Sequence, residues 1–182
     1  MGREHSEVEA LLGPLYAAVG SREGWTPFLE RLCAATGSHA GTVAVFDAGG
    51  GGSLPAYVGA GPDVARLYEG SYAIENPWRS SAGLPGAVRI SDDLIPWRDL
   101  RDTPFYRGFL RPLDLAHGVG VVGTVAGGRT PSLTVLRDHR TGVYQGRELA
   151  LLERLAPHWV NASGLWARVD ALERPAPDIR SA

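Results

Sequence analysis

The side chains best suited to chemistry in this chain are five histidines, at positions 5, 39, 117, 139 and 158, a single cysteine, Cys33, and the carboxylate pair Asp92 and Asp93. No two histidines stand in an H-x-x-x-H or H-E-x-x-H spacing and no cysteine cluster accompanies them, so no metal site is expected. One cysteine also excludes an internal disulfide. Cys33 falls on an apolar helical stripe, and Gly-x-Ser-x-Gly does not occur, which argues against thiol and hydrolase chemistry. Acid/base chemistry would fall to His117, Asp92 and Asp93, because an imidazole titrates near neutral pH. His158 follows Pro157 and reads as structural, bonding a carbonyl that the proline frees. The charged run Arg137-Asp138-His139-Arg140 reads as a solvated turn.

The candidates for binding are aromatic. Trp78, Trp97, Phe105, Tyr106 and Phe109 crowd one stretch, with Tyr72 just before it and His117 just after it. Ligand pockets are mostly apolar with a few polar anchors, and Trp and Tyr supply both in one side chain. No motif requires a cofactor.

The elements that must hold these residues follow from periodicity. Val8, Leu11, Leu12, Leu15 and Tyr16 recur at helical spacing, with a kink or break expected at Gly13-Pro14. A second helix starts at Thr26 as cap and Pro27 as first turn, carries Phe28, Leu29, Leu32 and Cys33, and stops at Gly37. Residues 40–47 are β-prone and lead through Gly49 to Gly52 into a second strand at 56–59. A helix is predicted over 62–74, closed by Asn76-Pro77. Residues 78–112 form a long excursion with a short strand at 87–91 and short helices around Trp97 and Phe105; such excursions often line pockets. Strands at 118–126 and 132–137 meet at Gly127-Gly128-Arg129.

Two glycine patterns imitate nucleotide sites. The run Gly49 to Gly52 lacks the Lys and the helix of a phosphate loop. Gly118, Gly120 and Gly123 match G-x-G-x-x-G, but a strand follows where a dinucleotide site needs a helix. Glycines in a strand signal instead a close approach of backbone, a bulge or a ligand.

The longest periodic element is predicted over 145–173. Leu152, Leu155, Trp159, Ala162, Trp166 and Val169 alternate spacings of 3 and 4, the pattern of a two-helix seam, and a second stripe through Leu165 and Leu172 widens the apolar face. Part of this face should bury a second subunit, with Trp159, Trp166 and Val169 at the homodimer interface and a kink at Pro157.

Five stretches together resemble the N-terminal sensor region of LuxR-type helix-turn-helix regulators: Leu15-Tyr16-Ala17-Ala18 with Trp25 and Phe28-Leu29; Tyr72 with Asn76-Pro77-Trp78; Ile90-Ser91-Asp92-Asp93-Leu94; Phe105 to Pro112 running on to His117-Gly118; and Leu151 to His158. The resemblance implies an α+β, GAF/PAS-like fold: an antiparallel sheet flanked by helices with a long C-terminal helix. It also implies dimerisation and a small-molecule ligand. The DNA-binding helix-turn-helix that normally follows is absent, so the expectation is one domain over 1–174 and a disordered tail at 175–182.

The 182 residues are 44% hydrophobic, enough for one core, and carry a net charge of −2, without the basic excess that direct nucleic-acid binding needs. No stretch has the length and apolarity of a membrane span or signal peptide, so a cytoplasmic protein is expected. Three functions stand open: a sensor for a small apolar or aromatic molecule, a biosynthetic enzyme using the same pocket for acid/base or shape-directed catalysis on a bulky apolar substrate, and a dimeric interaction module without ligand.

Overall fold

A computed structural model describes residues 2–21, 24–79 and 84–173, and the tail expected at 175–182 lies outside them. Helix α1 (Gly2–Ala18) runs through Pro14 without the predicted division. Its face of Val8, Leu11, Leu15 and Ala18 is buried, and this packing outweighs the one hydrogen bond that the proline removes. Helix α2 (Trp25–Thr36) begins before Thr26, which is therefore not its cap; Gly24 holds that place, and Gly37, at φ 61°, closes the other end.

Strand β1 (Ala40–Asp47) matches its expected bounds. Strand β2 (Gly52–Val58) starts earlier than predicted and contains Pro55, which an edge strand tolerates because its outer N–H row has no partner. The predicted helix over 62–74 is broken into α3 (Val64–Leu67), a π turn (Tyr68–Tyr72) and α4 (Ala73–Glu75). The excursion supplies β3 (Val88–Ile90), α5 (Ser91–Leu94), α6 (Trp97–Leu100), a second π turn (Tyr106–Leu110) and a 3-10 turn (Arg111–Leu113). Strands β4 (His117–Val122) and β5 (Arg129–Arg137) join at Gly127 and Gly128, both at positive φ, as a two-residue hairpin turn requires. Helix α7 (Arg147–Glu173) continues through Pro157 as one element.

The fold is α+β. The strands form one antiparallel five-stranded sheet in the order β2-β1-β5-β4-β3. Alternation along the strands divides their side chains between two cores. On one face Val43, Val119, Val121, Leu133 and Val135 meet Leu15, Phe28, Leu32, Leu152, Leu155 and Trp159 from α1, α2 and α7. On the other face Ala40, Ala44 and Leu136 meet Tyr68, Leu100, Phe105, Phe109 and Leu115 from the segments between β2 and β4.

The expected seam on α7 needs correcting. Leu152, Leu155, Trp159 and Ala162 are buried in the chain's own core, and the Trp159 ring packs edge-on against Trp25 at 5.6 Å. Its interface role fails because α1, α2 and the sheet already cover that stripe, leaving Trp159 nothing to offer a second subunit. Trp166, also edge-on to Trp25, and Val169 are half-buried, whereas Leu165 and Leu172 are exposed. Among the described residues no helix is long and apolar enough to cross a membrane.

Candidate functional site

Between the sheet and the excursion lies a cavity of about 100 Å³. Its floor is three rows across the central strands: Ala40, Leu136 and Gly118; Thr42, Thr134 and Gly120; Ala44, Ser132 and Val122. Most of these residues are small, whereas the same strands send Val and Leu to the helix-covered face. Space is therefore left on this side. A Cβ on Gly118 would touch the Trp78 ring at 3.7 Å, and one on Gly120 would press on Thr134 Oγ1 at 3.0 Å. These glycines allow close approach, as their position in a strand suggests.

The roof is aromatic. Phe105 stands edge-on to Trp78 at 5.6 Å and lies 5.4 Å from Phe109, which in turn lies 5.3 Å from Tyr68. The first π turn is tied to the sheet by Leu54 N–H, which donates to Glu69 at 3.1 Å. Asn76 then fixes two walls at once: its side-chain amide donates to the Tyr68 hydroxyl at 2.9 Å, and its side-chain carbonyl accepts the backbone N–H of Trp78 at 3.0 Å. Burial above all pushes the Tyr68 phenol up to about 12, so it stays protonated and able to donate.

Of the binding candidates, Trp78, Phe105 and Phe109 line the cavity. Tyr72 packs behind them against Phe105 and Phe109, in space left by Gly108, where a Cβ would collide with its hydroxyl. Trp97, Tyr106 and His117 stand outside the lining. Sequence reasoning missed Tyr68, Asn76, Arg79 and Arg89, which the lining includes. Among the described residues the lining carries Arg79 and Arg89 but neither Asp nor Glu. Nε1 of Trp78 and Nη1 of Arg79 are buried without a hydrogen-bond partner among the described residues. Such a donor costs about 1–3 kcal/mol, and more when charged, until an acceptor meets it.

The acid/base candidates form a separate cluster. Asp92 lies 2.9 Å from His117 Nδ1, and His117 Nε2 lies 3.2 Å from His139 Nδ1. The His139 ring stacks on Trp97 at 4.5 Å, and Trp97 meets Tyr106 edge-on. Asp93 is exposed and takes no part in these contacts. His139 is exposed in the solvated turn expected after β5, and its ring contacts join it to this cluster. Arg137 departs from that expectation: it is buried, donates to the Gly142 carbonyl at 2.7 Å, pairs with Glu148 and lies 3.9 Å over the Tyr144 ring. His158 faces the Tyr16 hydroxyl at 3.3 Å instead of a freed carbonyl. Among the described residues no group of three or more His, Cys, Asp and Glu is placed to hold a metal ion.

No protein-family model and no curated protein sequence matches the chain. Solved structures do. The VqsR LBD domain from Pseudomonas aeruginosa superposes with a TM-score of 0.68 at 16% identity, over 93% of this chain and 99% of that one. CepR2 from Burkholderia cenocepacia, an N-acylhomoserine lactone-dependent LuxR family transcription factor, gives 0.67 at 14% identity, over 94% and 99%. The GAF domain of a phosphoenolpyruvate-protein phosphotransferase from Coxiella burnetii gives 0.62 at 16%, over 93% and 96%. The chain has the fold shared by LuxR-type ligand-binding domains and GAF domains.

Proposed function

We propose that the chain is a small-molecule-binding sensor domain of the LuxR type. The observation that carries this reading is the cavity, whose floor of Gly, Ala, Ser and Thr and roof of Trp78, Phe105 and Phe109 make room for an apolar or aromatic body. The ligand dependence of CepR2 supports it by analogy of fold. In this proposal two cytoplasmic copies pair along the outer face of α7, through Leu165, Trp166, Val169 and Leu172.

Native mass spectrometry of the freshly purified protein, before and after denaturation, tests both parts. A dimer that releases an organic mass on denaturation is the expected result. An empty protein that no apolar metabolite stabilises against heat would overturn the sensor reading, because a ligand bound only by the folded state must raise its melting temperature.

An enzymatic reading has one observation in its favour, the Asp92, His117, His139 series. In it His139 is the base within reach of solvent, since His117 is only 3% exposed. A change in the mass of the released molecule on incubation with the protein would favour this reading.

A further inference from the structure

The unmatched donors of the cavity define what its occupant should carry. Trp78 Nε1 and Arg79 Nη1 both lack a partner among the described residues, and both side chains belong to the lining. The guanidinium meets the glycine turn after β1 with its terminal nitrogens: a Cβ on Gly50 would come within 3.2 Å of both of them and 3.6 Å of Cζ, and Gly50 has φ 95°. That turn is thus a seat for a cation rather than for a phosphate. Among the described residues no acidic side chain belongs to the lining, and Arg89, exposed on the edge strand β3, adds a second positive charge. Arg79 is half-buried and Asp47 stands at the same turn, but a buried N–H without an acceptor is unfavourable, and an anion held by two such donors removes the penalty.

We propose, on the reading of the cavity as a ligand site, that its ligand is an amphipathic carboxylate. The apolar body lies on the floor made by Thr42, Thr134 and Gly120, and the carboxylate oxygens accept the Trp78 and Arg79 N–H groups. The neighbouring Tyr68 phenol, held protonated by burial and bonded by Asn76, is a further donor at this end of the cavity. One guanidinium at the cavity wall suits a monoanion; a phosphate would bring more charge than it can match.

The test uses the full chain and three pairs of probes that differ only in the head group: decanoate and decanamide, 1-naphthoate and 1-naphthamide, and N-octanoyl homoserine and its lactone. Affinity is measured by calorimetry and checked by thermal shift, on the wild-type protein and on Arg79→Met. At least one acid should bind about tenfold tighter than its neutral partner, and Arg79→Met should abolish that preference while sparing the neutral probe. If the Met variant does not fold, Arg79→Gln, which keeps a donor and loses the charge, must show the same loss. Neutral probes that bind as tightly as their acids in every pair that binds, or a preference that survives both variants, would overturn the carboxylate and leave the ligand site standing. Failure of all six probes, together with an empty protein by native mass spectrometry, would overturn both.

Discussion

His117 Nδ1 lies 2.9 Å from an Asp92 oxygen, while its Nε2 lies 3.2 Å from His139 Nδ1. The carboxylate oxygen that meets His117 also accepts the Ser91 hydroxyl at 3.0 Å, and the Ser91 oxygen in turn accepts the Gly118 N–H at 2.9 Å. Because Ser91 and Gly118 line the cavity, the histidine cluster braces one end of its floor.

Ser91→Ala should therefore cost about 1–3 kcal/mol in urea unfolding, because it strands the Gly118 N–H in a buried place. Amide exchange of Gly118 should accelerate selectively. Unchanged protection at Gly118 would show that the serine does not hold the floor.

The two floor glycines should respond differently to a methyl group. In Gly118→Ala the new carbon meets the Trp78 ring at ordinary contact distance, 3.7 Å, so the fold should tolerate it while ligand affinity falls. In Gly120→Ala the carbon lies 3.0 Å from Thr134 Oγ1 and 3.2 Å from the Leu133 carbonyl, so the sheet itself must yield. A lower melting temperature for the second variant than for the first is the expected outcome. Equal melting temperatures with equal affinities would argue against this floor as the binding surface.

The elements are legible wherever pattern and packing agree. Thr42, Val43, Val45 and Phe46 announce β1, and the apolar stripe of α2 announces that helix. Strand β2 reads too short because Gly52 to Pro55 are poor strand formers, and its edge position, which excuses them, is a tertiary fact. The roof is half legible: aromatic crowding points to Trp78, Phe105 and Phe109. The π turns, however, set the direction of Tyr68 and Tyr72, and each shifts the helical phase by a residue. The hidden signal for the floor is the row of small residues at alternate positions of β1, β4 and β5. Arg137 misleads because a charge run is usually solvated, as His139 and Arg140 are here. Tyr144 and Glu148, which bury Arg137, lie several residues downstream.

Stability should decline in alkali. Burial, with Glu30 adding, pushes the Cys33 thiol from its ordinary 9.0 up to about 11; burial likewise raises the Tyr68 phenol to about 12 and lifts that of Tyr144. Between the ordinary and the raised values the folded chain binds more protons than the unfolded one, so the free energy of unfolding decreases as pH rises. The contribution of Cys33 is fully present below pH 9 and lost by about pH 11; that of Tyr68 is lost by about pH 12. Urea midpoints at pH 8, 10 and 11 should fall in that order, and Cys33→Ala should flatten the first part of the decline. A level profile would contradict the burial of these groups.

The two faces of α7 make opposite predictions for the same helix. Trp159→Ala opens the core beside Trp25 and should cost about 3–5 kcal/mol, whatever the protein concentration, because both rings belong to one chain. Leu172 is 86% exposed and Leu165 is 44% exposed, seven residues apart on the outer face, so Leu165→Glu with Leu172→Glu should leave the monomer fold intact. If two copies pair along this face, the double variant places four buried carboxylates in the interface, and sedimentation velocity should show monomers where the wild type shows dimers. A wild-type protein that sediments as a monomer at every concentration would end the pairing proposal. A double variant that still sediments as a dimer would place the contact on another surface of the chain.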